Sequence, residues 1–349
     1  EKIPKGNKVF NAKDVDLSWT PEIEYRQLMF YNAWNAEFAV KCRSNGDFQV
    51  GDLRNQEKYG GFSGYIGGGK YLVHSMKYLL SPSLRSAHPE YFERNEKNAD
   101  YAHPCFTNPD VLEITYQSVL ALLKSDPKAD MLSISQNDGG QPCSCENCQK
   151  SYEKYGKSGT VLNFVNEIAN RIKDDYPNVK VDTLAYSWSL EPPKGGVVPA
   201  DNVIVRFCSE MCPFHGDDEP CETLLKKEGY FDAWKDICKK IYVWQYPISW
   251  GNLFDAWPNF YELKDNFEFY AKHNVKGYYL EGYPCENAEF GELKAYLLAK
   301  LMQNPTMSDA EFEYHFLDFL EGYYGEGYKY IREYIDLIHG KIREKIAKD

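Results

Sequence analysis

Short apolar runs that end in polar residues recur along this chain, and segments with amphipathic helical spacing separate most of them. This alternation predicts parallel strands joined by right-handed crossovers through helices. The region 38–45 carries the weakest signal, for a first helix and a short second strand. The predicted strands cover residues 23–31, 38–45, 71–75, 131–136, 179–186, 203–207, 241–246 and 275–281.

Eight strand-like runs within a few hundred residues favour a closed barrel over an open doubly wound sheet. We therefore expect an α/β fold in which residues 21–305 form a (β/α)8 TIM-like barrel. Residues 1–20 are interpreted as an N-terminal linker. The pattern becomes purely helical beyond residue 308, which predicts a C-terminal helical extension over residues 306–349.

Helical spacing of apolar residues predicts four helices. Asn108 is a suitable N-cap and Pro109 suits the first position of the helix that follows it. The predicted helices cover residues 109–124, 160–176, 309–321 and 328–345.

The predicted strand at 131–136 ends in Gln136, Asn137 and Asp138, which are followed by two glycines. In (β/α)8 barrels the catalytic groups lie at the carboxyl ends of the strands. A carboxamide beside a carboxylate can orient a substrate amide and transfer a proton. An Asx-type turn that merely closes the strand is the alternative. We favour the functional interpretation because the rest of the chain predicts the barrel that it requires.

Polar and aromatic residues also follow several other predicted strands. Aromatic rings beside amide, carboxylate and imidazole groups are what sugar binding requires, because pyranose C–H faces stack on rings while hydroxyls need directional partners. Each such residue alone is more typical of a core, but their recurrence at strand ends favours a binding site. The candidate substrate-binding residues are His74, Gln136, Tyr186, Trp188, Arg206, Trp244, Tyr246 and Glu281.

Charge and motif content narrow the function classes. The net charge is −12 and no Lys/Arg cluster is present, which argues against a nucleic-acid partner or an anionic membrane. No apolar run reaches the length of a transmembrane helix. Motifs for phosphoryl transfer, nucleotide redox chemistry and Ser/His/Asp hydrolysis are absent. The sequence therefore predicts an oligosaccharide partner, with no cofactor and no catalytic metal.

Asn137 and Asp138 fit one version of glycoside hydrolysis. In substrate-assisted enzymes the substrate's own 2-acetamido oxygen attacks the anomeric carbon. Asp138 would then protonate the glycosidic oxygen while Asn137 holds the acetamido group. Consecutive strand residues face opposite sides, so both can reach one site only if the strand breaks there. The following glycines make such a break possible.

Two alternatives remain open at this point. A conventional barrel glycosidase would use Asp138 and Glu281 as a carboxylate pair in a double displacement. A non-catalytic barrel would use the same residues only to capture a glycan.

Ten cysteines are many for a protein of this length, and six of them fall into two groups. A zinc site and a pair of disulfides both fit such spacing. We favour a structural role and leave disulfide against zinc open. The first group is Cys143, Cys145 and Cys148, and the second is Cys208, Cys212 and Cys221 with His215 nearby.

The run from Leu132 to Gly140, followed by the cysteines at 143–148, resembles a family first catalogued as a domain of unknown function and now placed in glycoside hydrolase family 163. Further similar segments lie at 87–92, 107–111, 185–188 and 319–325. The resemblance implies a TIM-like barrel and an endo-β-N-acetylglucosaminidase that cleaves the chitobiose core of complex N-glycans. It also implies export to the surface or periplasm of a bacterium, with a glycoprotein N-glycan as substrate.

Overall fold

The fold was analysed in a computed structural model, which describes residues 16, 18–46, 64–95, 97–98, 101–128, 130–210, 222–251, 253–254 and 256–346. A single parallel sheet of six strands forms its centre, in the order β1-β6-β5-β4-β3-β2. The strands are β1 (Tyr25–Met29), β2 (Met131–Ser133), β3 (Lys180–Ala185), β4 (Val203–Glu210), β5 (Ile241–Tyr246) and β6 (Val275–Glu281).

Helices cover the outer face of the sheet and the carboxyl-terminal part of the chain. They are α1 (Ala36–Lys41), α2 (Met76–Leu79), α3 (Pro109–Ser125), α4 (Glu146–Ile172), α5 (Glu222–Ile237), α6 (Leu263–Lys272), α7 (Gly291–Gln303), α8 (Asp309–Tyr324) and α9 (Tyr328–Ile346). The prediction of α3 is confirmed, because the Asn108 side chain accepts hydrogen bonds from the backbone at Asp110 and Val111. Within the described ranges, no helix has the length and apolarity needed to cross a membrane.

The prediction of a closed (β/α)8 barrel is wrong, since the sheet is a half-barrel of six strands. The predicted strand at 71–75 is replaced by a 3-10 helix, Gly68–Tyr71, and a turn. His74 has φ 50°, a left-handed conformation that an extended strand cannot contain. For 38–45 a helix and a short strand were predicted; the helix is confirmed as α1, but residues 42–45 form a turn and irregular backbone in place of the strand. Asn35 caps α1 by accepting from the Phe38 backbone, so the chain is helical there.

Two short segments lie against the edges of the half-barrel where the predicted second and third strands would be. The backbone N–H of Asn45 donates to the Arg26 carbonyl of β1. Tyr65 forms a single parallel bridge with Met131 of β2. Each edge strand is thus partly paired, but these contacts do not make a continuous barrel wall among the residues that the structure describes.

The concave face of the sheet is lined by large aromatic side chains. Tyr25 of β1 stacks on Tyr242 of β5, with ring centroids 5.7 Å apart and planes 2° apart. Gly277 of β6 makes room for this stack, because a Cβ there would lie 2.6 Å from the Tyr242 ring. Trp244 and Tyr279 continue the aromatic lining, with centroids 4.0 Å apart. The interior of the half-barrel is therefore filled by side chains and is no open channel.

A charged pair lies among these rings. Arg206 of β4 and Asp182 of β3 are fully buried and 2.6 Å apart. The Arg206 guanidinium also contacts the Tyr65 hydroxyl, and its carbon lies 5.5 Å from the Trp244 ring centroid. Aromatic faces and a carboxylate together replace the water that the guanidinium loses on burial. Removal of either partner would leave an uncompensated buried charge.

We predict that Arg206→Met lowers the free energy of unfolding by about 3–5 kcal/mol, because Asp182 would remain buried without its cation. Denaturant-induced unfolding followed by far-UV circular dichroism measures the change. Lys239→Met is the matched control, since Lys239 pairs with Asp201 on the surface. That control should unfold as the wild type does. Equal behaviour of the two variants would contradict the structural importance of the buried pair.

Candidate functional site

The carboxyl ends of the strands, with the loops that follow them, are here called the rim. Strand β2 ends at Ser133, earlier than predicted, and an irregular segment carries the chain to Asp138. Gly139 and Gly140 have φ values of 61° and 63°, which only glycine adopts without strain. The expected break after Asp138 is therefore present. It leaves the Asp138 side chain 54% exposed at the rim.

Two side chains from other loops face Asp138. The Tyr186 hydroxyl, just beyond β3, donates to Asp138 Oδ1 at 3.3 Å. His74 Nε2 lies 3.7 Å from the same oxygen. His74 Nδ1–H donates to the Gln136 carbonyl at 2.8 Å, which fixes the tautomer and leaves Nε2 facing the carboxylate. Burial lowers the pKa of His74, so the neutral imidazole predominates at pH 7 and can accept a proton.

Glu281, at the end of β6, is the second carboxyl group of the rim. It accepts a hydrogen bond from Trp244 Nε1 at 2.6 Å. Burial, with a smaller contribution from the negative charge of Asp138, raises the pKa of Glu281 to about 7 against the opposing effect of the Trp244 hydrogen bond. The rim thus holds one exposed carboxyl and one half-buried carboxyl that binds a proton near neutral pH.

A small cavity lies at the concave side of the rim, close to both carboxyl groups. Its walls combine aliphatic, aromatic and imidazole side chains, and burial raises the pKa of the Tyr246 hydroxyl within it. The lining residues are Val73, His74, Leu184, Tyr186, Cys208, Trp244 and Tyr246. The structure therefore brings together Asp138 and five of the predicted substrate-binding residues, namely His74, Tyr186, Trp244, Tyr246 and, through Trp244, Glu281.

The other predicted residues point elsewhere. Gln136 is fully buried and donates to the Tyr186 carbonyl and to Ser189 Oγ. Asn137 is also buried, and its Nδ2 donates to the Ala102 carbonyl at 2.8 Å. Arg206 lies beneath the rim in its pair with Asp182. In this structure these side chains support the loops and do not reach the exposed surface of the rim.

His103 is a rim residue that the sequence analysis missed. Its Nε2–H donates to the Gly139 carbonyl at 2.6 Å, so it holds the loop that carries Asp138. The Trp188 ring packs edge-on against the His103 ring, with centroids 5.0 Å apart. No strand-end pattern marks His103, because it lies in a loop 36 residues before Gly139 in the sequence. The only local feature of the sequence at His103 is the proline that follows it.

A wider groove of about 650 Å³ opens beside the ends of β1 and β6. Tyr31 lies at its start, and the hydrogen bond that the Tyr31 hydroxyl donates to Glu286 raises the pKa of this hydroxyl. The Tyr31 and Trp34 rings lie 5.3 Å apart along its wall. Tyr31 was predicted to lie in a strand, and this groove was not predicted from the sequence. It is lined by Tyr31, Asn32, Trp34, Asn35, Phe38, Glu286, Asn287 and Glu292.

The cysteines are arranged differently from the two predicted groups. Cys143, Cys145 and Cys148 meet Cys105, which the sequence analysis did not include, and all four sulfur atoms lie within 4.8 Å of one another. Cys208 lies on the concave face as a buried free thiol, apart from this cluster. Cys212, Cys221 and His215 lie outside the described residues.

Comparison with known proteins gives a family match and a similarity in fold to solved structures. The profile of the family described as "Domain of unknown function (DUF4838)" matches residues 1–336. A solved structure of a family GH115 4-O-methyl-α-glucuronidase with specificity for decorated arabinogalactans is similar in fold, with a TM-score of 0.54 at 12% identity. The match covers 87% of this chain but only 42% of that protein. No curated protein sequence matches this chain significantly.

We predict that the indole N–H resonance of Trp244 titrates with a midpoint near pH 7, because its hydrogen-bond acceptor, Glu281, has its pKa raised to about 7. Glu281 is protonated below this midpoint and ionised above it. NMR of protein labelled with ¹⁵N-tryptophan measures the shift, and Trp244→Phe assigns the resonance. The titration should vanish in Glu281→Gln. A midpoint near the ordinary glutamate value of 4.5 would contradict the burial argument.

Proposed function

This chain belongs to the DUF4838 family, and on that premise we propose that the protein is a glycoside hydrolase. The observation that carries the proposal is the pair of carboxyl groups, Asp138 and Glu281, in different environments beside one aromatic cavity. Glycosidases need one group to protonate the leaving oxygen and another to act at the anomeric carbon. Environments that separate the pKa values of two carboxyl groups provide these roles. The fold likeness to a glucuronidase is compatible with this class.

We further propose endo-β-N-acetylglucosaminidase activity on the chitobiose core of N-glycans, at the cell surface or in the periplasm of a bacterium. The support is the resemblance of the segment 132–148 and of four other segments to glycoside hydrolase family 163. The groove beside Tyr31 and Trp34 adds aromatic and amide-bearing surface next to the rim. An endo-acting enzyme needs such surface, because its substrate continues on both sides of the cleaved bond.

Asp138 is proposed as the acid/base. Its side chain is accessible. The Tyr186 hydroxyl can donate to the ionised carboxylate, and the neutral His74 imidazole can accept from the protonated acid. Asn137 is proposed as the partner of the substrate's acetamido group. That role requires its amide to turn away from Ala102, to which it donates in this structure. The Tyr186 hydroxyl faces the rim cavity and is a second donor for the acetamido group.

A second assignment is favoured by the raised pKa of Glu281. A carboxyl group that titrates near pH 7 is well matched to general acid catalysis. Glu281 would then protonate the leaving oxygen, and Asp138 would be the group that acts at the anomeric carbon. This assignment predicts that activity is full below about pH 7 and falls as the pH rises through 7, because Glu281 loses its proton.

We predict that the protein releases N-glycans that carry a single N-acetylglucosamine at the reducing end and leaves the second one on the polypeptide. Asp138→Asn should lower the rate by about 10²–10⁴-fold, because a positioned acid/base is lost. Mass spectrometry of the glycan pool and of the treated glycoprotein measures both products. Asp201→Asn is the control, an exposed carboxylate that precedes β4 at the opposite end of the sheet.

Thermal unfolding of Asp138→Asn should match the wild type, since the side chain is largely exposed. If the wild type left the glycoprotein intact over a long incubation, the proposed hydrolysis would be contradicted. Glycan capture would then be the function.

The proposed mechanism makes a separate prediction about the intermediate. If the acetamido oxygen attacks, an oxazoline forms and no sugar becomes attached to the protein. A thiazoline analogue should then inhibit tightly, because it resembles the cyclised state that the site stabilises. Asn137→Ala should lower turnover strongly, whereas Glu281→Gln should mainly weaken binding. A 2-fluoro glycoside that labels Glu281 or Asp138 in the intact-protein mass spectrum would instead establish a double displacement.

A further inference from the structure

Four cysteines converge at the start of α4, and none of them lines the rim cavity. Cys143 and Cys145 come from the loop after Asp138, Cys148 lies in the first turn of α4, and Cys105 comes from the loop before α3. Cys105 Sγ lies 3.6 Å from Cys145 Sγ and 3.6 Å from Cys148 Sγ. Cys105, Cys143 and Cys148 are buried, and Cys145 is half-buried. The cluster joins two loops that are separate in sequence.

The spacing of the sulfur atoms fits one metal ion. A zinc–sulfur bond is about 2.3 Å, so two sulfurs of a tetrahedral site lie about 3.8 Å apart. The observed separations are close to this value, and all four sulfurs lie within 4.8 Å of one another. An iron–sulfur cluster holds its cysteines farther apart, because inorganic sulfide and several iron atoms lie between them. The geometry therefore fits a mononuclear ion.

Hydrogen-bond donors lie around the sulfur atoms, an arrangement that suits the thiolate, the metal-binding form of cysteine. The backbone N–H of Cys148 donates to Cys145 Sγ at 3.5 Å at the N-terminus of α4, where the helix dipole stabilises negative charge. Thr107 Oγ1 lies 3.2 Å from Cys148 Sγ and 3.4 Å from Cys105 Sγ, so its hydroxyl can donate to a sulfur. The Tyr152 hydroxyl donates to the Cys143 carbonyl and fixes that part of the loop.

We propose that Cys105, Cys143, Cys145 and Cys148 bind one structural Zn²⁺. Four protein ligands close the coordination sphere, so no position remains for water or substrate, as expected of a structural site. Binding converts the thiols to thiolates and releases their protons to solvent. The site is distinct from the rim cavity, and its existence does not depend on the proposed glycosidase activity.

The zinc site would also act as a positioning element for the rim. Cys105 follows His103 by two residues, and Cys143 follows Asp138 by five. His103 in turn donates to the Gly139 carbonyl. The metal would therefore link the two loops at Cys105 and Cys143. The hydrogen bond from His103 to Gly139 links the same loops a few residues earlier in each. Loss of the metal should loosen the loop that carries Asp138.

The first test is the metal content of the purified full-length protein, measured by inductively coupled plasma mass spectrometry. We expect about one zinc per chain, the stoichiometry of a closed four-thiolate site. Cys105→Ser and Cys148→Ser should lose most of this zinc. Cys42→Ser should keep it, because Cys42 is a half-buried free thiol outside the cluster.

The second test uses Co²⁺ on the reduced wild-type protein, so that it does not depend on a variant that folds. Four thiolates should give the visible bands of tetrahedral Co²⁺ with intense sulfur-to-cobalt charge transfer, and Zn²⁺ should bleach them. Cys145→His, at the half-buried position, should still bind Co²⁺ but with a shifted spectrum. A thiol-insensitive octahedral spectrum would overturn the proposal.

Removal of zinc by a chelator under reducing conditions should lower the Tm of the wild type and of Cys42→Ser, but leave that of Cys148→Ser unchanged. Hydrogen exchange should then increase in the segment 138–145. Protein that contains no zinc and in which peptide mapping without reductant finds disulfides among these four cysteines would establish the disulfide alternative and overturn the metal site.

Discussion

The buried pair of Arg206 and Asp182 is the interaction on which the rest of the half-barrel depends. Two charges inside an aromatic interior are tolerated only if they meet, and they come from adjacent strands. Side chains alternate along a strand, so facing Arg206 inward also faces Ile204 and Cys208 inward. A slip of one residue in β3 or β4 would separate the charges and turn the opposite set of side chains inward. The pair thus fixes the register that places Tyr186 at the rim.

The same alternation explains why the rim carries two unlike carboxyl groups. Glu281 is two residues after Tyr279 and follows the inward face of β6, where the Trp244 indole covers it. Asp138 comes after the irregular end of β2 and so escapes the alternation. One carboxyl group is therefore placed by a strand and the other by a loop. Their different burial follows from this difference in support, and burial raises the pKa of Glu281.

Strands and helices with strong local signals could be predicted from the sequence, and long-range neighbours could not. Strand β5 was predicted with its exact limits and α3 with its cap, because alternation and capping are local. The apolar run at 71–75 was wrongly predicted to be a strand, because a turn buries Leu72 as completely as a strand would. Cys105 and His103 were missed because their partners lie 36 or more residues away. Arg206 was predicted near the end of a strand over 203–207, but β4 continues to Glu210 and Arg206 lies in its middle. Asn137 lies beyond the end of β2, and the burial of both side chains depends on tertiary contacts.

Residues other than glycine that adopt the left-handed region at the rim include His74 with φ 50° and Ser187 with φ 51°. Each such conformation costs about 1–2 kcal/mol relative to an ordinary one. A glycine at either position would relieve that cost, yet at position 74 it would also delete the imidazole that faces Asp138. Substitutions that raise thermal stability by relaxing the backbone would therefore alter the loops that carry the reactive groups. Thermal robustness has to be sought elsewhere in the chain, in the exposed faces of α8 and α9 that take no part in holding the rim.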